Sequence, residues 1–184
     1  MDWEKIEQYV DNHTAEGRKQ AGAWRWVGLW KNRNKLLPFL EEKDVLDIGG
    51  ASAPIGYGEI LDTAEIDIWG RRVKYHDENI CKKFDTVFAS HILEHYEFPA
   101  VHLRRWHGLL KDGGHLILQV PSMYNIMNHP LFNENHHCVF TIDGDVEQGI
   151  KSKMLPLRWF LEQVFTIEFL EYVGNTGILA IGRK

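Results

Sequence analysis

The segment His91-Ile92-Leu93-Glu94-His95 carries three side chains able to move a proton or hold a metal ion. On a helix, His91, Glu94 and His95 would fall at i, i+3 and i+4 and share one face. Imidazole titrates near neutral pH, so His91 or His95 could act as a general base. The same three groups could instead ligate a divalent ion. A second set of polar groups precedes them. Asp44-Val45-Leu46-Asp47-Ile48-Gly49-Gly50 reads as a short strand buried on both faces, interrupted by Asp47 and ended by two glycines. A carboxylate near the end of a buried strand needs a partner. Twenty residues on, Glu65-Ile66-Asp67-Ile68 places another acid at the end of another apolar run, a spacing that suits a carboxylate gripping the two hydroxyls of a ribose. In an open α/β sheet, ligands bind beyond the carboxyl ends of the strands. These residues together imply a nucleoside-containing cofactor at the first two strands.

The elements that must position these groups can be read in order. Residues 1–42 read as N-terminal helices forming a cap or lid, with a first stripe at Ile6, Tyr9 and Val10. A second helix should run from about Glu16 to Leu40, with Pro38 kinking it or splitting off a last turn. Trp24, Val27, Leu29 and Trp30 would cover the sheet, while Arg18, Lys19, Arg25, Lys31, Arg33 and Lys35 make the region basic. Residues 43–184 then form the main domain. Strands are expected at 44–48, 64–68, 73–76, 84–90 and 116–120. A helix between the last two would bury Val101, Leu103, Trp106, Leu109 and Leu110, and Lys111-Asp112-Gly113-Gly114 would turn it into the fifth strand. Too few residues separate Asp67 from the third strand for a full crossover helix. Residues 122–151 are loop-like and hold His129, His136 and His137. A helix at 157–164, a strand at 165–172, a turn at 174–177 and a strand at 178–182 close the chain as a hairpin.

Composition bounds the class. With 184 residues, 44% of them hydrophobic, the chain can bury one ordinary core. A formal charge of −5 gives no broad pull toward nucleic acid. The two cysteines, Cys81 and Cys138, make neither a disulfide framework nor a CxxC metal site and suit a reducing compartment. No run reaches the ~18 apolar residues of a membrane span, and Met1-Asp2-Trp3-Glu4-Lys5 lacks a signal-peptide core. A cytoplasmic protein, monomeric or homodimeric, is expected.

Three segments resemble the class I S-adenosylmethionine-dependent methyltransferases of the small type 11 or 12. Val45–Gly50 is similar to the family's first motif, Phe84–His95 to its fourth, and Leu109–Leu118 to its "LLKPGG" turn, with Asp112 where proline is usual. The resemblance implies a doubly wound, Rossmann-like α/β fold, a mostly parallel sheet of about seven strands ending in an antiparallel hairpin. It implies S-adenosyl-L-methionine as cofactor and S-adenosyl-L-homocysteine as product. By position, Gly49, Gly50 and Ala51 would pass under the cofactor, with Asp47 ordering that loop or holding the amino group. Asp67 would take the ribose hydroxyls, Ile68 would pack on the adenine, Asp77 would accept from the adenine amino group, and Ser90 and His91 would stand beside the methyl group. Ala51 and Ala53 replace the second and third glycines of the usual Gly-x-Gly-x-Gly, which implies a tighter or shifted loop.

The ubiquinone-pathway and small-RNA 3′-terminal O-methyltransferases carry a similar Glu-x-x-Glu-His that binds a divalent ion. Other relatives carry Ser-His-x-Leu-Glu-His with no metal, where Glu94 and His95 would cap and brace the helix. His91, Glu94 and His95 therefore stand as catalytic candidates, with no metal ligand assigned. The expected acceptor is an oxygen or nitrogen of a small molecule or sugar. The alternatives are a non-catalytic, cofactor-binding scaffold of the same fold, or metal-assisted O-methylation of an RNA 3′ end.

Overall fold

Branched and aromatic runs bounded by glycine or acidic residues form the centre of the sheet. In the computed structural model, which describes residues 23–51, 53–62, 74–75, 80–122, 137–144, 154–173 and 177–184, these are β1 (Val45–Ile48), β4 (Phe84–Ser90) and β5 (Leu110–Val120). All four residues of β1 are buried, as expected of a parallel strand covered on both faces. With β2 (Glu59–Asp62), β3 (Lys74–Tyr75), β8 (Thr166–Tyr172) and β9 (Ile178–Arg183), they make a seven-stranded sheet in the order β3-β2-β1-β4-β5-β9-β8. β1 to β5 run parallel, while β9 is antiparallel to both β5 and β8. The chain leaves β1 toward β2 and β3, then returns to β4 on the other side of β1. The carboxyl ends of β1 and β4 therefore flank the switch point where such sheets bind ligands.

Side chains alternate between two cores. Val87, Ala89, Leu116, Leu118, Ile178 and Ala180 face the helices α2 (Pro99–Leu109) and α3 (Leu157–Glu162), which contribute Leu103, Trp106, Phe160 and Leu161. Phe88, Ile117, Leu179 and Ile181 face the opposite side, where α1 (Ala23–Leu36) lays down Trp26, Val27, Leu29 and Leu36. The strand period of two assigns each residue to its layer. A 3-10 turn at Leu37–Phe39, with Pro38 inside it, ends α1 as a separate last turn. Residues 1–22, with the expected stripe at Ile6, Tyr9 and Val10, lie outside the described residues.

Two expectations are corrected, and a third lies outside the described residues. The strand expected at 64–68 falls outside the described residues, while a strand unforeseen in the sequence lies at Glu59–Asp62. Its buried apolar content is the pair Ile60-Leu61, too short to stand out in the sequence. No helix links β1 to β2 among the described residues. Instead Gly58, at φ +64, passes so close under β1 that a Cβ would lie 1.9 Å from the Val45 carbonyl oxygen. β5 starts at Leu110 rather than 116, because the expected turn is an excursion within its span. Leu110 pairs with Phe84 and His115 with Thr86, so Lys111–Gly114 bulges out of the ladder, with Gly113 at φ +76. Within the stretch expected to be loop, β6 (Val139–Thr141) and β7 (Met154–Pro156) pair in parallel as a small second sheet, and Ser122 bridges to Phe140. Among the described residues, no helix is long and apolar enough to cross a membrane.

Candidate functional site

The crevice is built where β1, β2 and β4 end. Asp47 is completely buried, and its two oxygens have separate partners. Oδ2 accepts the Ile55 N–H at 3.0 Å, drawing the loop after β1 back over the strand end. Oδ1 pairs with the Arg25 guanidinium, which arrives from α1 and is itself 2% exposed. Arg25 Nη1 also donates to the last carbonyls of two neighbouring strands, Ile48 at 3.2 Å and Ser90 at 3.1 Å. Its guanidinium carbon lies 4.9 Å from the centre of the Phe88 ring. Burial draws the guanidinium down to about 9, opposed by the charge of Asp62, so it remains charged at neutral pH.

The loop itself depends on two glycines for different reasons. Gly49 adopts φ +71, the left-handed region, while its N–H donates to Leu61 at 2.8 Å. A Cβ on Gly50 would come 2.3 Å from Asp47 Oδ2. Ala51 then donates its N–H to Asp62 Oδ2 at 2.9 Å, and Ala53 donates to the Gly50 carbonyl at 3.2 Å. Ala51 and Ala53 are both buried, so the positions where glycine was expected pack as small core residues. Asp62 is the carboxylate at the carboxyl end of β2. Asp67, Ile68 and Asp77 lie outside the described residues.

At the end of β4, the buried Ser90 hydroxyl donates to Gln119 Oε1 at 3.4 Å. His91 follows with φ +53, a backbone state uncommon for residues other than glycine, and its N–H donates to the Gln119 carbonyl at 2.8 Å. The segment after it is a single 3-10 turn, Leu93–His95, rather than a helix that includes His91. His91, Glu94 and His95 therefore do not form the helical i, i+3, i+4 face. The left-handed turn still brings His91 Nδ1 to 3.6 Å from Glu94 Oε1. Glu94 is 1% exposed, and both its Oε2 and His91 Nε2 are buried with no hydrogen-bond partner among the described residues. The Glu94 carbonyl accepts the His137 N–H at 2.8 Å and the Cys138 N–H at 3.3 Å, which ties the turn to the strand before β6. The Cys138 thiol is pushed up to about 12 by burial, with the Glu94 charge adding to the effect, so it is protonated and unreactive there. Among the described residues no three His, Cys, Asp or Glu side chains are grouped to hold a metal ion, and His136 lies outside them.

Arg25, Asp62 and Gln119 were not singled out by the sequence. Arg25 was one of several cations among tryptophans, and nothing in the residue pattern marks which of them turns inward. Asp62 follows a two-residue apolar pair, and Gln119 sits inside an apolar strand as an unremarked amide.

Residues 62–118 match a family model described as a methyltransferase domain. A comparison with curated proteins found no match. Among solved structures, the fold is similar to the N-methyltransferase NodS of Bradyrhizobium japonicum WM9 in complex with S-adenosyl-L-homocysteine. That likeness has a TM-score of 0.55 at 14% identity and covers 99% of this chain and 97% of that one. A SAM-dependent methyltransferase from Archaeoglobus fulgidus aligns with a TM-score of 0.57 at 19% identity, over 85% of this chain and 94% of that one. The complex between the Haloferax volcanii Trm112 methyltransferase activator and its partner protein gives 0.56 at 14%, over 85% and 91%. At these identities the likeness establishes the fold.

Proposed function

Proceeding from a chain that has the class I methyltransferase fold and matches the methyltransferase domain over residues 62–118, we propose that it transfers a methyl group from S-adenosylmethionine to an oxygen or nitrogen of a small molecule or sugar. The observation that carries this reading is the cradle at the end of β1. Gly49 takes a left-handed φ and Gly50 leaves no room for a Cβ above Asp47, while the loop they open is tied back by the Ala51 N–H on Asp62 and the Ile55 N–H on Asp47. A loop whose backbone must stay bare at a strand end fits the close approach of a nucleoside cofactor.

When bound, S-adenosylmethionine supplies an electrophilic methyl on a sulfonium. Asp62, in the place expected of the acid at the end of the second strand, would accept the ribose hydroxyls. Asp47 would shape the loop that runs under the cofactor. The adenine roles of Ile68 and Asp77 belong to residues outside the described set. His91, at the end of β4, would take the proton from the acceptor group. The Glu94 carboxylate lies 3.6 Å from Nδ1 on one side of the ring, and Nε2, with no hydrogen-bond partner among the described residues, would be the nitrogen that accepts. Glu94 is buried, so this contact is not shared with bulk water.

Calorimetric titration of S-adenosylhomocysteine into the protein and into Asp62→Ala, with NAD as control, tests the reading. Binding of the sulfur nucleoside but not NAD, weakened at least tenfold in the variant, is expected. Tenfold corresponds to about 1.4 kcal/mol. No binding of S-adenosylhomocysteine to the unaltered protein would overturn the reading. Unchanged affinity in Asp62→Ala would remove Asp62 from the ribose role.

A further inference from the structure

Arg25 joins parts of the crevice that the sheet alone leaves separate. The carbonyls of Ile48 and Ser90 are the last of β1 and β4, at the end of the sheet where the crevice lies. Arg25 Nη1 bridges both, and the same guanidinium pairs with Asp47, whose other oxygen holds the Ile55 N–H. A planar guanidinium with five donors can do this from one side chain, whereas an ammonium is a point charge with no fork. We propose that Arg25 is a positioning residue for the cofactor crevice: from α1 it locks the ends of β1 and β4 together and, through Asp47, sets the loop of residues 49–55.

Anchoring α1 does not account for the pair. Trp26, Leu29 and Leu36 already seat the helix on Phe88, Ile117, Leu179 and Ile181. A buried ion pair gives such an anchor little that well-packed apolar residues would not, because both charges must be stripped of water. The arrangement differs from an anchor in where it acts. Ser90 immediately precedes His91, so one side chain holds the residue before the proposed base and also the loop under the proposed cofactor. Helix α1 thereby supplies a wall of the site from its interior side.

The inference rests on the methyltransferase reading for its consequence, but the clamp itself can be read without cofactor. Amide hydrogen exchange of the full chain, with Arg25→Lys and Arg25→Met, is the first measurement. Exchange across residues 49–55 should rise at least tenfold in both variants, while β8 and β9 keep their protection. Unchanged exchange at 49–55 would overturn the clamp, whatever the protein binds. Loss of protection throughout the sheet in both variants would also overturn it, making Arg25 a general core residue. Calorimetry with S-adenosylhomocysteine then reads the coupling. Arg25→Met and Asp47→Asn should each weaken binding at least tenfold, and the double variant should be no weaker than the worse single one. Additive losses would mean that Arg25 does not act through Asp47. If the unaltered protein shows no binding, the methyltransferase reading fails and the exchange result alone decides the clamp.

Discussion

His91 sits in a left-handed backbone state that its own side chain does not favour, beside a carboxylate with almost no exposure. Such residues persist where the surroundings over-determine them. Here the determinants are the Gln119 carbonyl on its N–H and the Ser90 carbonyl under Arg25. If His91 takes the acceptor's proton, His91→Ala should lower turnover by about 10²–10⁴-fold, the usual contribution of a general base, while S-adenosylhomocysteine affinity changes less than about threefold. Steady-state rates with an accepted substrate, set beside calorimetry, would separate the two. Equal turnover would remove His91 from catalysis and favour the bracing role for Glu94 and His95. At this scale the sequence was half legible. Asp47, the two glycines and Ser90-His91 declare themselves because polar groups and glycines at the end of an apolar run are conspicuous. Arg25 does not, because a cation's inward turn depends on a carboxylate from another element. The helical face assumed for His91, Glu94 and His95 failed because i, i+3 spacing says nothing about the backbone state of the first residue.

Among the elements, β4, β8 and β9 were visible as sustained apolar or alternating runs, and Pro38 correctly marked a detached last turn. β2 was not, since Gly58 and Asp62 leave it only Ile60 and Leu61 as buried residues. What fixes β2 is instead the close passage of Gly58 under Val45. Gly58→Ala would place a methyl group against a backbone carbonyl in a region of φ that disfavours side chains. It should destabilise the protein by at least about 2 kcal/mol, a fall in Tm of about 4–8 °C for a chain of this size. Thermal denaturation of the variant checks this. A Tm within a degree or two of the unaltered protein would mean that the β1–β2 connection can be rebuilt without its glycine.

Over the whole molecule, charge is organised at the end of the sheet opposite the crevice. Lys82 lies 3.0 Å from Asp44 and 3.1 Å from Glu59, and Lys111 lies 3.1 Å from Asp44 and 3.0 Å from Asp85. The hydrogen bonds from Lys82 and then Lys111 hold Asp44 below its ordinary 3.8. Asp85 is held low first by the Asp44 N–H and then by Lys111. A carboxylate depressed in the folded state adds stability above its unfolded value, near pH 3.8, and that stability is lost as pH falls through the lower folded value. Lys111→Met should therefore lower stability modestly at pH 7, where this contribution is fully present, have progressively less effect as pH falls below about 4, so that the acid limb flattens, and lose its effect in high salt because the groups are exposed. Urea titrations at pH 3, 4 and 7 would read it, and an unchanged acid limb would show that these pairs are as strong in the unfolded chain.

The position of β9 also bears on how the chain is made. Trp26 and Leu29 of α1 complete their core against Leu179 and Ile181, which a ribosome delivers long after the helix has emerged. Asp47 is synthesised soon after Arg25, whereas the Ser90 carbonyl that Arg25 also holds follows only once β4 is out. Until β9 is inserted beside β5, the nascent chain holds an apolar helix face without its full seat, a surface suited to transient capture by chaperones. A ribosome stalled before residue 178 would therefore leave the first described helix seated on Val45, Phe88 and Ile117, without the β9 half of its core.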